Sequence, residues 1–286
     1  MSYFKLKFLL ISFLNNLSTQ FFKRISFKDK KIIDFCNKSD AIIFESSCNT
    51  IFPLLKKNIN AQFIYKANDD LVFVKTHPYF SYLEKRDYMF YDFISVVDPD
   101  MLEKFPNHNN TFVTPHGVSI PNINFVNPFT TEKNLIFVGH TGLDNKVIKG
   151  ISKLFPDVTI HLIGRVNVDA PNIICYGEMP YKEIFQYIYF ADICLATYNA
   201  SPDSIYYKNS IKIKIYKKMN KKILLPIVMN KNFNYPNSFF YDDNLSSIKS
   251  AVNNAMEKDI IEFNDNTILS WNESLEMFLN ETILRA

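Results

Sequence analysis

Short all-apolar runs alternate with amphipathic stretches along most of this chain, and that alternation sets its fold class. Ala41-Ile42-Ile43-Phe44 is one such run, followed by a helical stretch to about residue 57. Residues 62–67 form a second, closing on the polar turn Asn68-Asp69-Asp70. A strand that is apolar at every position is covered on both faces, as strands of parallel sheets are. A helix over 79–93, a strand over 94–97, a short helix over 101–105 and a strand over 111–114 carry the series to Pro115-His116-Gly117. The next stretch, 119–133, holds two prolines and several Asn and Thr without periodicity, which reads as a linker. A second series then opens at Leu135-Ile136-Phe137-Val138, with strands over 158–163, 173–176, 193–196 and 223–229. Helices over 145–154, 181–189, 210–220, 245–257 and 267–284 separate and close them. Such alternation specifies parallel sheets with helices on both faces. The expected class is α/β, with two Rossmann-like domains facing a cleft: residues 1–120, a linker over 121–133, and residues 134–286.

Composition narrows the partners. Hydrophobic residues at 47% and charged residues at 21% are globular proportions. A net charge of +3 is too small to argue for nucleic acid. The four cysteines stand far apart with no CxxC pair, and Cys175 and Cys194 fall inside apolar runs, so buried thiols in a reducing, cytoplasmic setting are expected. No apolar run reaches the roughly 18 residues of a membrane span. Up to Ile33 the chain carries seven basic residues against one acid, with an apolar stretch over 8–14. It reads either as a helix packed on the first domain or as a peripheral contact with an anionic membrane face.

Ligands in open α/β sheets bind beyond the carboxyl ends of the strands, so the residues just after each strand carry the functional reading. Glu45 and Asp69 end the first two strands, and a shielded carboxylate there can act as general base. The alternative is a helix cap or turn former. His116 reaches the cleft or is a hydrogen-bonded structural histidine. In the second half, Gly139-His140-Thr141-Gly142 lacks the GxGxxG fingerprint, yet its small residues let a ligand approach backbone amides, with Thr141 a candidate donor contact. The turn Gly177-Glu178-Met179-Pro180 is placed to pair with a base edge. Tyr198 packs beside a nucleotide or faces solvent. Asn209-Ser210-Ile211-Lys212 opens a helix, whose free amides and partial positive charge suit a diphosphate. Lys212 adds a full charge there; the alternative leaves Lys212 and Lys214 as solvated residues of a basic helix. No DxD-like metal cluster is found, since Asp98-Pro99-Asp100 falls at a helix start.

From about residue 31 to 257 the chain resembles the β-glucuronosyltransferases of xanthan biosynthesis. The pieces are "SDAIIFESS", "FIYKANDD", "FVTPHGVSIPN", "IFVGHTGLD", "LFPDVTIHLIG", "NIICYGEMPYKE", "ADICLATYNAS" and "KNSIKIKIY", and their order across both domains makes the set specific. The resemblance implies an inverting, metal-independent GT-B enzyme without cofactor. Such an enzyme moves glucuronate from UDP-glucuronate to a lipid-diphosphate-linked oligosaccharide at the inner membrane face. It implies Asp69 as catalytic base and Glu178 and Met179 at the uracil turn. Tyr198 is implied as a nucleotide contact, and Ser210, Ile211 and Lys212 as the grip on diphosphate and sugar, with Asn209 beside them a donor-binding candidate from its place at the helix start. Two departures bear on the donor: Ile211 stands where the family has Met, and Ile215 where it has Gln. Another UDP-sugar is therefore an alternative donor. No counterpart to the family's first βα units is found before Ser39, so the first domain is expected to be shortened. The further alternative is a truncated, inactive UDP-binding or scaffold protein.

Overall fold

The computed structural model describes residues 30–46, 59–72, 74, 76, 78–139, 142–198 and 207–285. It divides into two compact units, Met1–Pro115 with Leu275–Ala286, and His116–Ser274.

The first unit contains α1 (Lys30–Cys36), β1 (Ala41–Glu45), β2 (Gln62–Ala67), α2 (Pro78–Asp87), β3 (Phe93–Val96) and β4 (Thr111–Val113), with 3-10 turns at Tyr88–Phe90 and Pro99–Lys104. Its strands pair in parallel in the order β1-β2-β3-β4. Phe63, Ile64, Tyr65 and Ala67 of β2 and Ile94 and Val96 of β3 are all buried, as continuous apolar runs require of central strands. The helix expected over 79–93 stops at Asp87. Residue 92 is already drawn into the sheet, because the Asp92 amide donates to Phe63 O and its carboxylate accepts from Phe63 N at 2.7 Å. The short helix expected over 101–105 is the 3-10 turn, capped by the buried Asp98 carboxylate, which accepts from Asp100 N at 2.8 Å. The helix expected up to residue 57 lies outside the described residues.

The second unit contains β5 (Asn134–Val138), α3 (Asn145–Leu154), β6 (Thr159–Ile163), β7 (Ile173–Gly177), α4 (Tyr181–Phe190), β8 (Ile193–Leu195), α5 (Ile211–Lys218), β9 (Lys222–Pro226), β10 (Ser238–Tyr241) and α6 (Leu245–Glu257). The chain closes with α7 (Trp271–Glu281). The parallel sheet runs β10-β9-β8-β5-β6-β7. Numbered within the unit, that is the 3-2-1-4-5-6 order of the doubly wound dinucleotide fold. The order reverses between β5 and β8, which is where such folds bind ligands.

Two core clusters cover the two faces of this sheet. Leu135 and Phe137 of β5 pack with Ile148 and Ile151 of α3 and Ile248 and Val252 of α6. Ile136 points the other way, onto Phe185 and Ile188 of α4 and Ile213 and Tyr216 of α5. β10 escaped the sequence reading because it is four residues long and sits in an Asn-rich stretch; its pairing with β9 makes it a strand. Cys194, in central β8, is fully buried, and burial pushes its thiol up to about 12. Cys175 corrects the expectation of a second buried thiol: it is exposed, because β7 is an edge strand.

The division between units falls at Pro115/His116, and the proline-bearing stretch after it groups with the second unit. The physical reasons are local. Val118 is buried and its amide donates to Leu269 O at 2.8 Å, while Lys214 Nζ donates to His116 O at 3.0 Å. Further on, Phe125 packs on Tyr189, and Phe129 packs on His161 and Tyr187.

Candidate functional site

The switch point of the second sheet holds an unusual cation. Lys212, in the first turn of α5, sends its ammonium over the Phe137 ring at 3.7 Å and the Tyr198 ring at 4.3 Å. Phe137 comes from β5 and Tyr198 follows β8, so the two strands that flank the reversal supply the two rings. Among the described residues no carboxylate pairs with this ammonium and no acceptor hydrogen-bonds it. Burial holds its pKa well below the ordinary lysine value. Ring faces attract a cation, but they replace only part of the lost hydration. An anion brought here meets a charge that has no counter-ion among the described residues.

The helix end itself is well made. Ser210 is the N-cap of α5 and its Oγ accepts from Ile213 N at 3.5 Å, while Tyr198 OH lies 3.1 Å from the same oxygen. Tyr198 is 3% exposed, so the solvent-facing alternative is set aside; it is the floor on which Ser210 and Lys212 rest. Asn209 and Ile211 are half-buried, the latter against the α5 face of the core. The solvated-lysine alternative fails for Lys214 as well, which is buried and spends its ammonium on His116 O. His116 lies in the second unit, half-buried, with its ring 6.1 Å from Trp271. Thr141 lies outside the described residues.

Beside Lys212 the strand ends are bare of side chains. Gly139 and Gly164 end β5 and β6 with φ of 132° and 127°. A Cβ on Gly164 would overlap the Gly139 carbonyl oxygen, so that position admits glycine alone. Gly139 N donates to Ile163 O at 2.9 Å and Gly164 N to Gly177 O at 2.7 Å, which ties the three strand ends together. At the third end, Glu178 is exposed and forked onto Arg165, with Nε–Oε1 at 2.7 Å and Nη2–Oε2 at 3.2 Å. Met179 is half-buried against the core. Arg165 was not picked out from the sequence; its only signal there was its position directly after a strand-ending glycine.

In the first unit, register places Glu45 at the end of β1 opposite Lys66 of β2, and Asp69 lies three residues beyond it. Ser46 brackets the Asp69 backbone: its Oγ accepts from Asp69 N at 3.2 Å and donates to Asp69 O at 3.5 Å. The Asp69 side chain is exposed by area, and among the described residues nothing hydrogen-bonds its carboxylate. Partial desolvation, then the negative charges of Asp70 and Glu45, raise its pKa. Beneath it the charges are paired. Asp70 is buried, with Lys104 Nζ at 2.9 Å from Oδ2 and Val72 N donating to Oδ1 at 2.8 Å. Lys104 also reaches Glu84 at 3.5 Å, and Glu84 accepts from Tyr65 OH at 2.6 Å. A carboxylate with a raised pKa and free lone pairs is chemically fit to accept a proton from a hydroxyl.

Comparison with known proteins adds three findings. Residues 1–97 match the family described as glucuronosyltransferase GumK, N-terminal domain, a match that extends ahead of Ser39. The UDP-glucuronate:glycolipid 2-beta-glucuronosyltransferase of Xanthomonas campestris pv. campestris is 27% identical over 261 residues, covering 88% of this chain and 64% of that protein. The chain thus spans just under two thirds of the length of that curated relative. Among solved structures, Anabaena HepE in complex with UDP and glucose has a TM-score of 0.64 at 12% identity, covering 90% of this chain and 81% of that one. The lipopolysaccharide outer core galactosyltransferase WaaB, in its apo form, has a TM-score of 0.56 at 12% identity, with 90% and 79% covered. The fold is therefore of GT-B type, two Rossmann-like domains each built on a parallel sheet.

Proposed function

We propose that this relative of the xanthan-type β-glucuronosyltransferases is an inverting glycosyltransferase that moves a sugar from a UDP-sugar to a lipid-linked acceptor. The observation that carries the reading is the Lys212 ammonium, held over two rings at a helix N-terminus with no counter-ion among the described residues. A donor diphosphate supplies that counter-ion, and the free amides at the start of α5 add to its binding. In this reading Lys212 then stabilises the charge that gathers on UDP as the glycosidic bond breaks. Asp69 takes the proton from the acceptor hydroxyl, which attacks the anomeric carbon from the face opposite UDP in one displacement. The turn at Glu178 and Met179 reads the base, with Arg165 steadying it. The reaction is proposed to run without a metal ion, the cationic helix end doing the work of charge neutralisation.

Glucuronate is the favoured sugar by resemblance. A second reading, with another UDP-hexose, is favoured by Ile215, which is 6% exposed in the core and offers a sugar no polar atom. Among the described residues no helix is long and apolar enough to cross a membrane. Access to a lipid-linked acceptor is proposed to come from surface contact by the basic, apolar residues 1–33.

The test is a panel of UDP-sugars with purified chain and a lipid-linked acceptor, read by mass spectrometry of product. Transfer from UDP-glucuronate supports the first reading and transfer from another hexose the second. UDP binding with no transfer from any donor would reduce the protein to a nucleotide-binding scaffold.

A further inference from the structure

The first unit contains a buried ion cluster for which the proposed reaction has no stated use. Lys104 closes the 3-10 turn Pro99–Lys104 and points beneath the turn that carries Asp69. There it meets two carboxylates, Asp70 at 2.9 Å and Glu84 at 3.5 Å, and the three side chains are 17%, 7% and 5% exposed. Glu84 is fixed in turn by the Tyr65 hydroxyl at 2.6 Å, from the middle of β2. Asp70 also holds its own loop, accepting from Val72 N through its side chain and from Val74 N through its carbonyl. On the outer side Ser46 clasps the Asp69 amide and carbonyl. The backbone of Asp69 is therefore held from above by Ser46 and from its neighbour by Asp70, and Asp70 in turn is held by Lys104.

We propose that Lys104 is a positioning residue for Asp69: by pairing with Asp70 and Glu84 it anchors the turn and cancels the negative charge next to the carboxylate that receives the proton. The inference rests on the reading of Asp69 as base. Glu45 at the end of β1, in register with Lys66 of β2, and Asp70 in its own turn bring negative charge to bear on Asp69, and behind Asp70 stand Lys104, Glu84 of α2 and the Tyr65 hydroxyl. Their balance gives a signed expectation. Removing the Lys104 cation leaves Asp70 and Glu84 uncompensated, which disfavours ionised Asp69; removing the Asp70 anion favours it. Uptake of a proton by Glu84 limits the first effect without reversing it.

Two substitutions that break the same ion pair must therefore move Asp69 in opposite directions. The experiment follows the Asp69 carboxyl carbon by NMR across pH in the full chain, and alongside it the pH profile of kcat/KM. Lys104→Met is expected to raise the Asp69 titration and the acid limb of the profile by about half a unit to one unit. Asp70→Asn is expected to lower both by a similar amount, and the double variant Lys104→Met/Asp70→Asn to return them close to the parent. Lys104→Arg should leave both in place, and KM for the donor should stay unchanged throughout. A shift in the same direction for both single variants, or no shift in either, overturns the proposal, because loss of folding alone has no sign. The double variant keeps the charge balance and supplies the answer if Lys104→Met does not fold. If the NMR titrations move in opposite directions and the acid limb does not follow, the reading of Asp69 as base fails while the electrostatic role of Lys104 stands.

Discussion

The ligand ends of the two sheets handle charge in opposite ways. In the first unit the described buried charges beneath the surface turn are paired, Asp70 and Glu84 with Lys104, while Asp69, on the surface, has no bonded partner for its carboxylate among the described residues. In the second unit the arrangement is inverted: Lys212 lies over two rings with no counter-ion among the described residues, while the exposed Glu178 is forked onto Arg165. Both arrangements push the unbonded group toward its neutral form, Asp69 upward and Lys212 downward. On the proposed reading, the group that takes a proton needs solvent and substrate access and sits among like charges at the surface. On the same reading, the one that grips a diphosphate gains from partial burial, since a charge–charge contact strengthens as the dielectric falls.

The sharpest way to break the comparison is Asp69→Asn. Transfer should fall by about a hundredfold to ten-thousandfold while UDP affinity, measured by calorimetry, holds. Unchanged turnover would remove Asp69 from the chemistry. Next in size is Lys212→Met, for which UDP affinity should fall by about tenfold to a hundredfold, the worth of a charge-assisted contact. Its melting temperature should stay level or rise, because the lost charge had no ionic partner among the described residues, whereas Lys104→Met should melt lower because it strands two carboxylates. Equal melting shifts for these two lysines would erase the distinction drawn here.

A smaller effect concerns protons. A diphosphate favours the charged form of Lys212, so its pKa rises on binding from a depressed starting value. UDP binding should then take up a fraction of a proton and weaken as pH rises through the ligand-free pKa. Calorimetry in buffers of different ionisation enthalpy measures this, and a heat independent of buffer argues against it. Smallest is Ser210→Ala, which removes the cap of α5 and should cost about 1 kcal/mol in denaturant unfolding.

The parallel sheets were legible because runs such as Phe63 to Tyr65 and Leu135 to Phe137 are apolar at every position, as central covered strands are, although the equally apolar run of β1 is an edge strand that leaves Ile43 exposed. Helix α3 falls where it was expected, and the structure shows Asp144 before it accepting from both Lys146 N and Val147 N. What failed were features set by distant partners. Residues 121–133 read as free linker because their aromatic residues have no period; Phe125 and Phe129 are packed by Tyr189, His161 and Tyr187, all more than thirty residues later. The alternative of solvated Lys212 and Lys214 stayed open in the sequence because charge in sequence says nothing of depth. Lys217, for example, is 8% exposed and lies over Phe233. Of the site, the strand-end positions were legible from topology alone. The pairing of Lys104 with Asp70 was not, because it joins residues thirty-four apart.

All six glycines of the chain lie within residues 117–177, and four of them adopt positive φ. The first unit folds its sheet without any. Mutational tolerance should divide accordingly. In a saturation library scored on UDP capture, Gly164 should accept nothing else, because any side chain there collides with the carbonyl of the neighbouring strand end. The turns of the first unit hold no glycine, and among its described residues Asn107 alone has positive φ, so they should accept a wider range of side chains.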